Sequence, residues 1–341
     1  MQSKKILKIK KNINKLILIS KKNSKKYPLF VILAMHELFR NLYPHDPYIK
    51  KNINNHVDNL LHVVNNLILF IQHTSKFGSY LNQLNIKKYN TQTLFGKLWK
   101  ERLREKKLDS DKVLEELLKK AKINKNHIKN KNVLDMGCGS GRFTIALAKQ
   151  KTKFTYGVDL GDEGLKIGKL LAKNNNIKNI KFLKSNVLNL PFKNSSFDFI
   201  FCKGVLHHTG NTFKGLKELH RVLKPGGRAF IYLYGKRGIF WNTRKLMRQV
   251  MRNIPMEYTI DVLKNFGMPS RRTIFVDSWY VPVEEHIDKK KLEDWFKKNK
   301  ISFTKYKKAK KTELEYYENK YKNFHELFGN GELRYTIQKN D

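Results

Sequence analysis

Val133-Leu134-Asp135-Met136-Gly137-Cys138-Gly139-Ser140-Gly141-Arg142-Phe143 is the stretch that decides the fold. A short apolar run that reads as a buried strand enters a turn with glycine at every second position. A helical pattern over 143–149 follows. Strand, glycine turn and helix in this order open an alternating α/β sheet, because glycine lets the backbone turn tightly and approach a ligand closely. The amides at the helix start are expected to suit an anionic group. The turn alone leaves the ligand open. A dinucleotide fingerprint spaces its glycines GxGxxG, whereas these stand GxGxG with Asp135 directly before them.

Working outward, Tyr156-Gly157-Val158-Asp159 reads as a second strand ending in an acid 18 residues after Gly141. An alternating fold puts a carboxylate there to accept hydrogen bonds from a ribose. A helix-capping aspartate is the structural alternative, since a helical pattern follows. Three more segments continue the alternation. They are Phe182–Phe192, then Ser196–His208, then Leu219–Gly227 leading into the strand 229–234.

These five segments, in this order, resemble the class I S-adenosylmethionine-dependent methyltransferases, most closely the type 11 group related to the ubiquinone-biosynthesis methyltransferases. The resemblance covers about residues 92–234. It extends more weakly to Leu94-Phe95-Gly96-Lys97-Leu98-Trp99, to 277–282, to His286 and to 292–296. It implies that Asp135 holds the methionine amino group of the cofactor and that Gly137, Cys138, Gly139 and Gly141 line it with backbone. It further implies that Asp159 binds the ribose, with Leu160 against the adenine and Asn186 and Val187 at the adenine edge. The family usually carries aspartate where this chain has Asn186. Asparagine keeps an accepting carbonyl oxygen but loses charge assistance.

His207 and His208 follow the fourth strand, at the edge where doubly wound sheets bind ligands. One of them is the candidate to orient the acceptor or take its proton; packing of the loop is the alternative. Tyr234, Trp279, Tyr280 and His286 are the weaker candidates for the acceptor pocket, and such aromatics are often only packing.

The expected fold is α/β: a Rossmann-like seven-stranded methyltransferase sheet, mostly parallel, with the final strand antiparallel. Strands are expected near 132–136, 155–159, 180–184, 198–203, 228–234, 301–307 and 332–338. Residues 1–90 are read as a basic helical N-terminal extension and 91–235 as the S-adenosylmethionine-binding domain. Residues 236–287 are read as a helical cap inserted after the fifth strand and covering the acceptor. Residues 288–341 are read as the helix and antiparallel strands that complete the sheet. In the extension, Leu60, Leu61, Val63, Val64, Leu67, Ile68 and Ile71 repeat with helical spacing. A helix over 242–252 is expected in the cap.

The net charge is +41, and 57 of the 70 basic residues are lysine. Such a charge attracts nucleic acid, anionic lipid or phosphorylated substrates at long range. A lysine-biased composition is the competing explanation, since specific phosphate recognition leans on arginine. The longest uninterrupted apolar run, Leu29–Met35, is far short of a membrane span. The lysine-rich first 26 residues lack the apolar core of a secretory signal, and weak membrane-surface contact is the minority reading for them. The two cysteines, Cys138 and Cys202, form no metal or disulfide pattern, and a cytoplasmic location is expected.

The function expected from these readings is methyl transfer from S-adenosylmethionine to a small-molecule, sugar or lipid-precursor acceptor. RNA, in particular a tRNA wobble base, is the runner-up: some such enzymes resemble Gly204–His208. No Asn/Asp-Pro-Pro-Tyr and no Pro-Cys follows the fourth strand, which argues against base-amino and cytosine-C5 chemistry. A non-catalytic scaffold is the third reading, opposed by the intact glycine loop and Asp159.

Overall fold

The computed structural model describes residues 2–42, 54–73, 90–104, 110–265, 272–306, 318 and 323–340. In chain order the helices are α1 (Gln2–Asn23), α2 (Pro28–Leu42), α3 (Asn54–His73), α4 (Thr91–Arg104), α5 (Ser110–Lys120), α6 (Arg142–Ala148), α7 (Asp162–Asn174), α8 (Thr212–Val222), α9 (Gly238–Met251), α10 (Met256–Asn265), α11 (Arg272–Tyr280), α12 (Lys289–Lys298) and α13 (Phe324–Phe328). The strands are β1 (Asn132–Met136), β2 (Phe154–Asp159), β3 (Ile180–Lys184), β4 (Phe197–Lys203), β5 (Leu223–Tyr234), β6 (Ile301–Lys305) and β7 (Glu332–Lys339). All seven expected strands are present, with residue 307 of the sixth lying outside the described residues.

The chain divides into two units. The sheet unit holds residues 89–236, 282–309 and 332–341. Its seven strands lie in the order β3-β2-β1-β4-β5-β7-β6. The first five pair in parallel, and β7 runs antiparallel to both β5 and β6. The near-continuous burial of β1 and β4 is that of parallel strands covered on both faces. Side chains alternate across the pleat, so Leu134, Ile200 and Cys202 enter one core while Val133, Phe199 and Phe201 enter the other. Strand order reverses at β1/β4, and the C-terminal ends of these strands and their neighbours form the crevice where such sheets take ligands.

The helical unit holds residues 1–88, 237–281 and 310–331. The sequence separates the first two of these as an extension and a cap, yet their described helices pack into one body. α9 packs on α1, α2, α11 and α13, and α10 packs on α2. α2 is apolar on nearly every side, which buries it at the centre. The buried Arg248 guanidinium donates to the carbonyls of Ser278 and Val281, tying α9 to the end of α11. The cap boundary expected at 287 therefore falls earlier. Residues 282–287 belong to the sheet unit, where the Ile287 amide donates to the Tyr234 carbonyl at 2.9 Å.

Candidate active site

Asp135, one residue before the end of β1, is a buried carboxylate and accepts from the Thr144 hydroxyl on α6 at 2.7 Å. Burial pushes its pKa up to about 7, the Thr144 bond opposes this, and the nearby Asp159 adds to the rise. Asp159 ends β2. One of its oxygens accepts from the Gly139 amide at 2.8 Å and the other from the Gly161 amide at 2.9 Å. The second strand's acid thus clamps the first strand's glycine loop. A carboxylate can accept about four hydrogen bonds, so Asp159 keeps accepting capacity for a hydroxyl donor. Burial raises its pKa above the ordinary carboxylate value.

The glycine loop needs its glycines. Gly137, Gly139 and Gly141 all have positive φ. A Cβ on Gly139 would stand 2.7 Å from the Trp99 indole, which α4 lays against the loop. Four amides of the loop are engaged within the protein itself. The Gly137 and Cys138 amides donate to the Val158 carbonyl, the Gly141 amide to Cys138, and the Gly139 amide to Asp159. A pyrophosphate has no claim on these four donors. Two carboxylates beside satisfied amides suit a cationic ligand, which distinguishes this loop from a dinucleotide cradle. The Cys138 thiol is buried and its pKa is raised by that burial, so it is not a thiolate nucleophile. Leu160 follows Asp159 and is 37% exposed at the same edge. Asn186 follows β3; its side-chain oxygen accepts from the Leu188 amide at 2.9 Å in a local turn, and Val187 is buried in the core. These positions fit the cofactor that the resemblance implies: a buried acid for an ammonium, an acid with spare lone pairs for a ribose, and an exposed leucine beside it.

The histidines follow β4 in a single 3-10 turn, Leu206–His208. The His207 ring is fully buried and stacks on Tyr234, at the end of β5, with centroids 3.8 Å apart. His208 meets His207 edge-on at 4.3 Å and Phe95 of α4 at 5.5 Å. His208 Nδ1 lies 2.9 Å from the Val283 carbonyl. A carbonyl only accepts, so Nδ1 carries the hydrogen, and Nε2 of the neutral ring is left as the proton-accepting nitrogen.

The segment 283–287 holds this turn in place. The Glu285 amide donates to the His207 carbonyl at 2.7 Å. The Glu285 carboxylate accepts from the amide and hydroxyl of Thr212, at 2.9 and 2.7 Å, at the start of α8. His286 pairs with Glu284, Nε2 to Oε1 at 2.8 Å. His207, His208, Tyr234 and His286 thus all belong to the sheet unit.

Trp279 and Tyr280, the other two residues expected at the acceptor pocket, belong to the other unit. They end α11 of the helical unit. Trp279 is fully buried between Phe275 and Phe39, and the Tyr280 hydroxyl bonds Thr259 at 2.6 Å. Their size and apolar surface are used by that unit's core. Thr144, Trp99 and Glu285 are the residues that reading by sequence missed. Trp99 lies in the segment 94–99 and Thr144 in the helical pattern 143–149, while Glu285 lies in none of the quoted motifs.

A doubly wound sheet with two acids bracketing a glycine loop at its switch point defines a class I S-adenosylmethionine-dependent methyltransferase. The chain matches the methyltransferase-domain family over residues 127–300, just over half its length, and belongs to it. It is 38% identical over 101 residues to the demethylmenaquinone methyltransferase of Geobacillus stearothermophilus, covering 29% of this chain and 43% of that one. To the same enzyme of Staphylococcus aureus strain MRSA252 it is 37% identical over 101 residues, 29% and 41% of the two chains. The chain therefore spans less than half the length of these relatives. Among solved structures, the YcgJ protein of Bacillus subtilis aligns with a TM-score of 0.44 at 18% identity, over 67% of this chain and 98% of that one.

Proposed function

We propose that the chain transfers the methyl group of S-adenosylmethionine to a small, ring-bearing lipid precursor in the cytoplasm. The observation that carries the acceptor class is the run of rings Tyr234, His207, His208 and Phe95 at the ends of β4 and β5. Flat faces of this kind suit a flat acceptor. The relatives named for demethylmenaquinone, a quinone-type molecule, support the same class.

When bound, the cofactor supplies a methyl group on a sulfonium. In this reading Asp135 receives its ammonium and Asp159 its ribose hydroxyls. The backbone of Gly137, Cys138, Gly139 and Gly141 lines it, while Leu160, Asn186 and Val187 meet the adenine. His208 Nε2 takes the proton that the acceptor loses, and buried His207 holds His208 and Tyr234 in register. Alignment of the two reactants supplies much of the acceleration.

RNA is the second reading, favoured by the +41 charge. The test supplies labelled cofactor at physiological salt with a short-chain demethylated quinol in one arm and purified tRNA and rRNA in the other. Label is expected in the organic extract of the first arm. Stoichiometric, nuclease-sensitive label at one RNA position overturns the proposal. In the productive arm, His208→Gln is expected to lower kcat by about 10²–10⁴-fold with S-adenosylhomocysteine affinity unchanged. An unchanged kcat removes the base assignment.

A further inference from the structure

Of the large apolar side chains that the described residues leave exposed, Leu7 (69%), Leu18 (57%), Leu69 (53%) and Phe70 (39%) all lie on α1 and α3. Leu7 and Leu18 are three helical turns apart and so share one face. Lys4, Leu7, Lys11, Lys15, Leu18 and Lys22 fall within one narrow arc of α1, and every one of them is exposed. α1 contains no acidic residue.

α3 lies beside it in parallel. Lys5 pairs with Asp58 and Asn12 with Asn65, and the two contacts advance together along both helices. That register brings Leu69 and Phe70 to the level of the C-terminal half of α1, where Leu18 stands. A lysine-biased composition explains lysines everywhere, but it does not gather exposed leucine and phenylalanine onto one helix pair. Apolar side chains set among lysines match an anionic bilayer surface, with the lysines at the headgroups and the leucines below them. A nucleic-acid backbone would take the lysines and leave the apolar groups in water.

We propose that the α1–α3 face docks the protein on anionic membrane surface. The proposal stands apart from the identity of the methyl acceptor, because vesicle binding needs neither cofactor nor acceptor. The experiment sediments the full chain with phosphatidylcholine vesicles, with and without phosphatidylglycerol, at physiological salt. Binding is expected only to the anionic vesicles. Leu7→Ser with Leu18→Ser is expected to weaken it by about tenfold, and adding Leu69→Ser and Phe70→Ser to abolish it, since each buried CH₂ contributes to partition. Lys4→Gln with Lys11→Gln, Lys15→Gln and Lys22→Gln is expected to abolish the preference for anionic lipid. Leu170→Ser removes an exposed leucine from α7 and is expected to change nothing. All positions are at the surface, and circular dichroism confirms folding of each variant. Full vesicle binding by the leucine variants, or binding of tRNA that outcompetes the vesicles at this salt, overturns the proposal. S-adenosylhomocysteine affinity, measured on the same samples, separates failure here from failure of the methyl-transfer reading.

Discussion

Gly139 and the two aspartates are the core of the proposed cofactor site, and each makes a separate demand on the chain. Gly139 has φ +54° and faces the Trp99 ring, so Gly139→Val meets both backbone strain and a collision. Calorimetry is expected to show loss of S-adenosylhomocysteine binding. Asp159→Ala removes the proposed ribose acceptor and also the clamp on the Gly139 amide, and is expected to weaken binding by about 1.5–3 kcal/mol. Unchanged affinity in both folded variants would contradict the site.

Asp135 makes binding depend on pH. Its native pKa, about 7, lies above the ordinary 3.8, so the native ligand-free protein holds a proton between roughly pH 4 and 7 that the unfolded chain has released. The proton stabilises the native state relative to its ionised form, and stability falls as pH rises through that window. An ammonium partner favours the ionised form, so binding expels the proton. Affinity is expected to rise with pH up to about 7 and then level. Asp135→Asn is expected to bind weakly with a flat profile. Calorimetry in buffers of different ionisation enthalpy checks the released proton.

At the scale of elements, the decisive piece is the segment 283–287. Its Glu285 carboxylate sits at the N-terminus of α8, where the helix's unpaired amides favour negative charge, and accepts twice from buried Thr212. Glu285→Ala leaves both Thr212 donors without that partner and is expected to cost about 1–3 kcal/mol in thermal unfolding. Alanine keeps the backbone amide that donates to the His207 carbonyl but frees the segment from Thr212, so turnover is expected to fall while cofactor affinity stays unchanged. Glu285→Gln keeps an accepting oxygen and is expected to restore most of both. A variant that lost cofactor binding in proportion to turnover would show that the segment is mere scaffolding. The strands were legible because each is a short apolar run bounded by turn residues. Nothing in Val283–Ile287 announces its partners, because a strand-like bridge of this length depends wholly on what lies opposite.

At the scale of the whole molecule, the chain crosses between its units several times, and each unit has its own core. Calorimetry is expected to resolve two transitions. S-adenosylhomocysteine at a hundredfold excess over its Kd is expected to stabilise only the sheet unit's transition, by about 2.7 kcal/mol. A ligand shift in both transitions would show that they unfold as one. In the helical unit, buried His56 stacks on Phe328, and burial lowers its pKa to about 4. That lies below its ordinary value of 6.5, so as pH falls beneath about 6.5 the unfolded chain binds a proton that the native chain refuses. Stability of that unit is expected to fall as pH drops from about 6.5 to about 4. His56→Leu is expected to flatten this loss, read as a smaller acid shift of the helical transition.

From the sequence alone came the sheet, its strand positions, the glycine loop and the two acids that bracket it. These depend on local rules: the short continuous apolar runs of strands buried on both faces, the backbone freedom of glycine, and the fixed place of a strand's C-terminal end in a doubly wound sheet. Tertiary structure alone decided that α1–α3 fold with α9–α11 rather than standing as a separate extension. It also decided that Trp279 is core, that half-buried Tyr280 bonds Thr259, and that Glu285 supports the histidine turn. An apolar helix face declares that it will be buried, but the hydrophobic effect has no direction and does not say against what. Two residues far apart in sequence become partners only when the packing of everything between them brings donor and acceptor within reach.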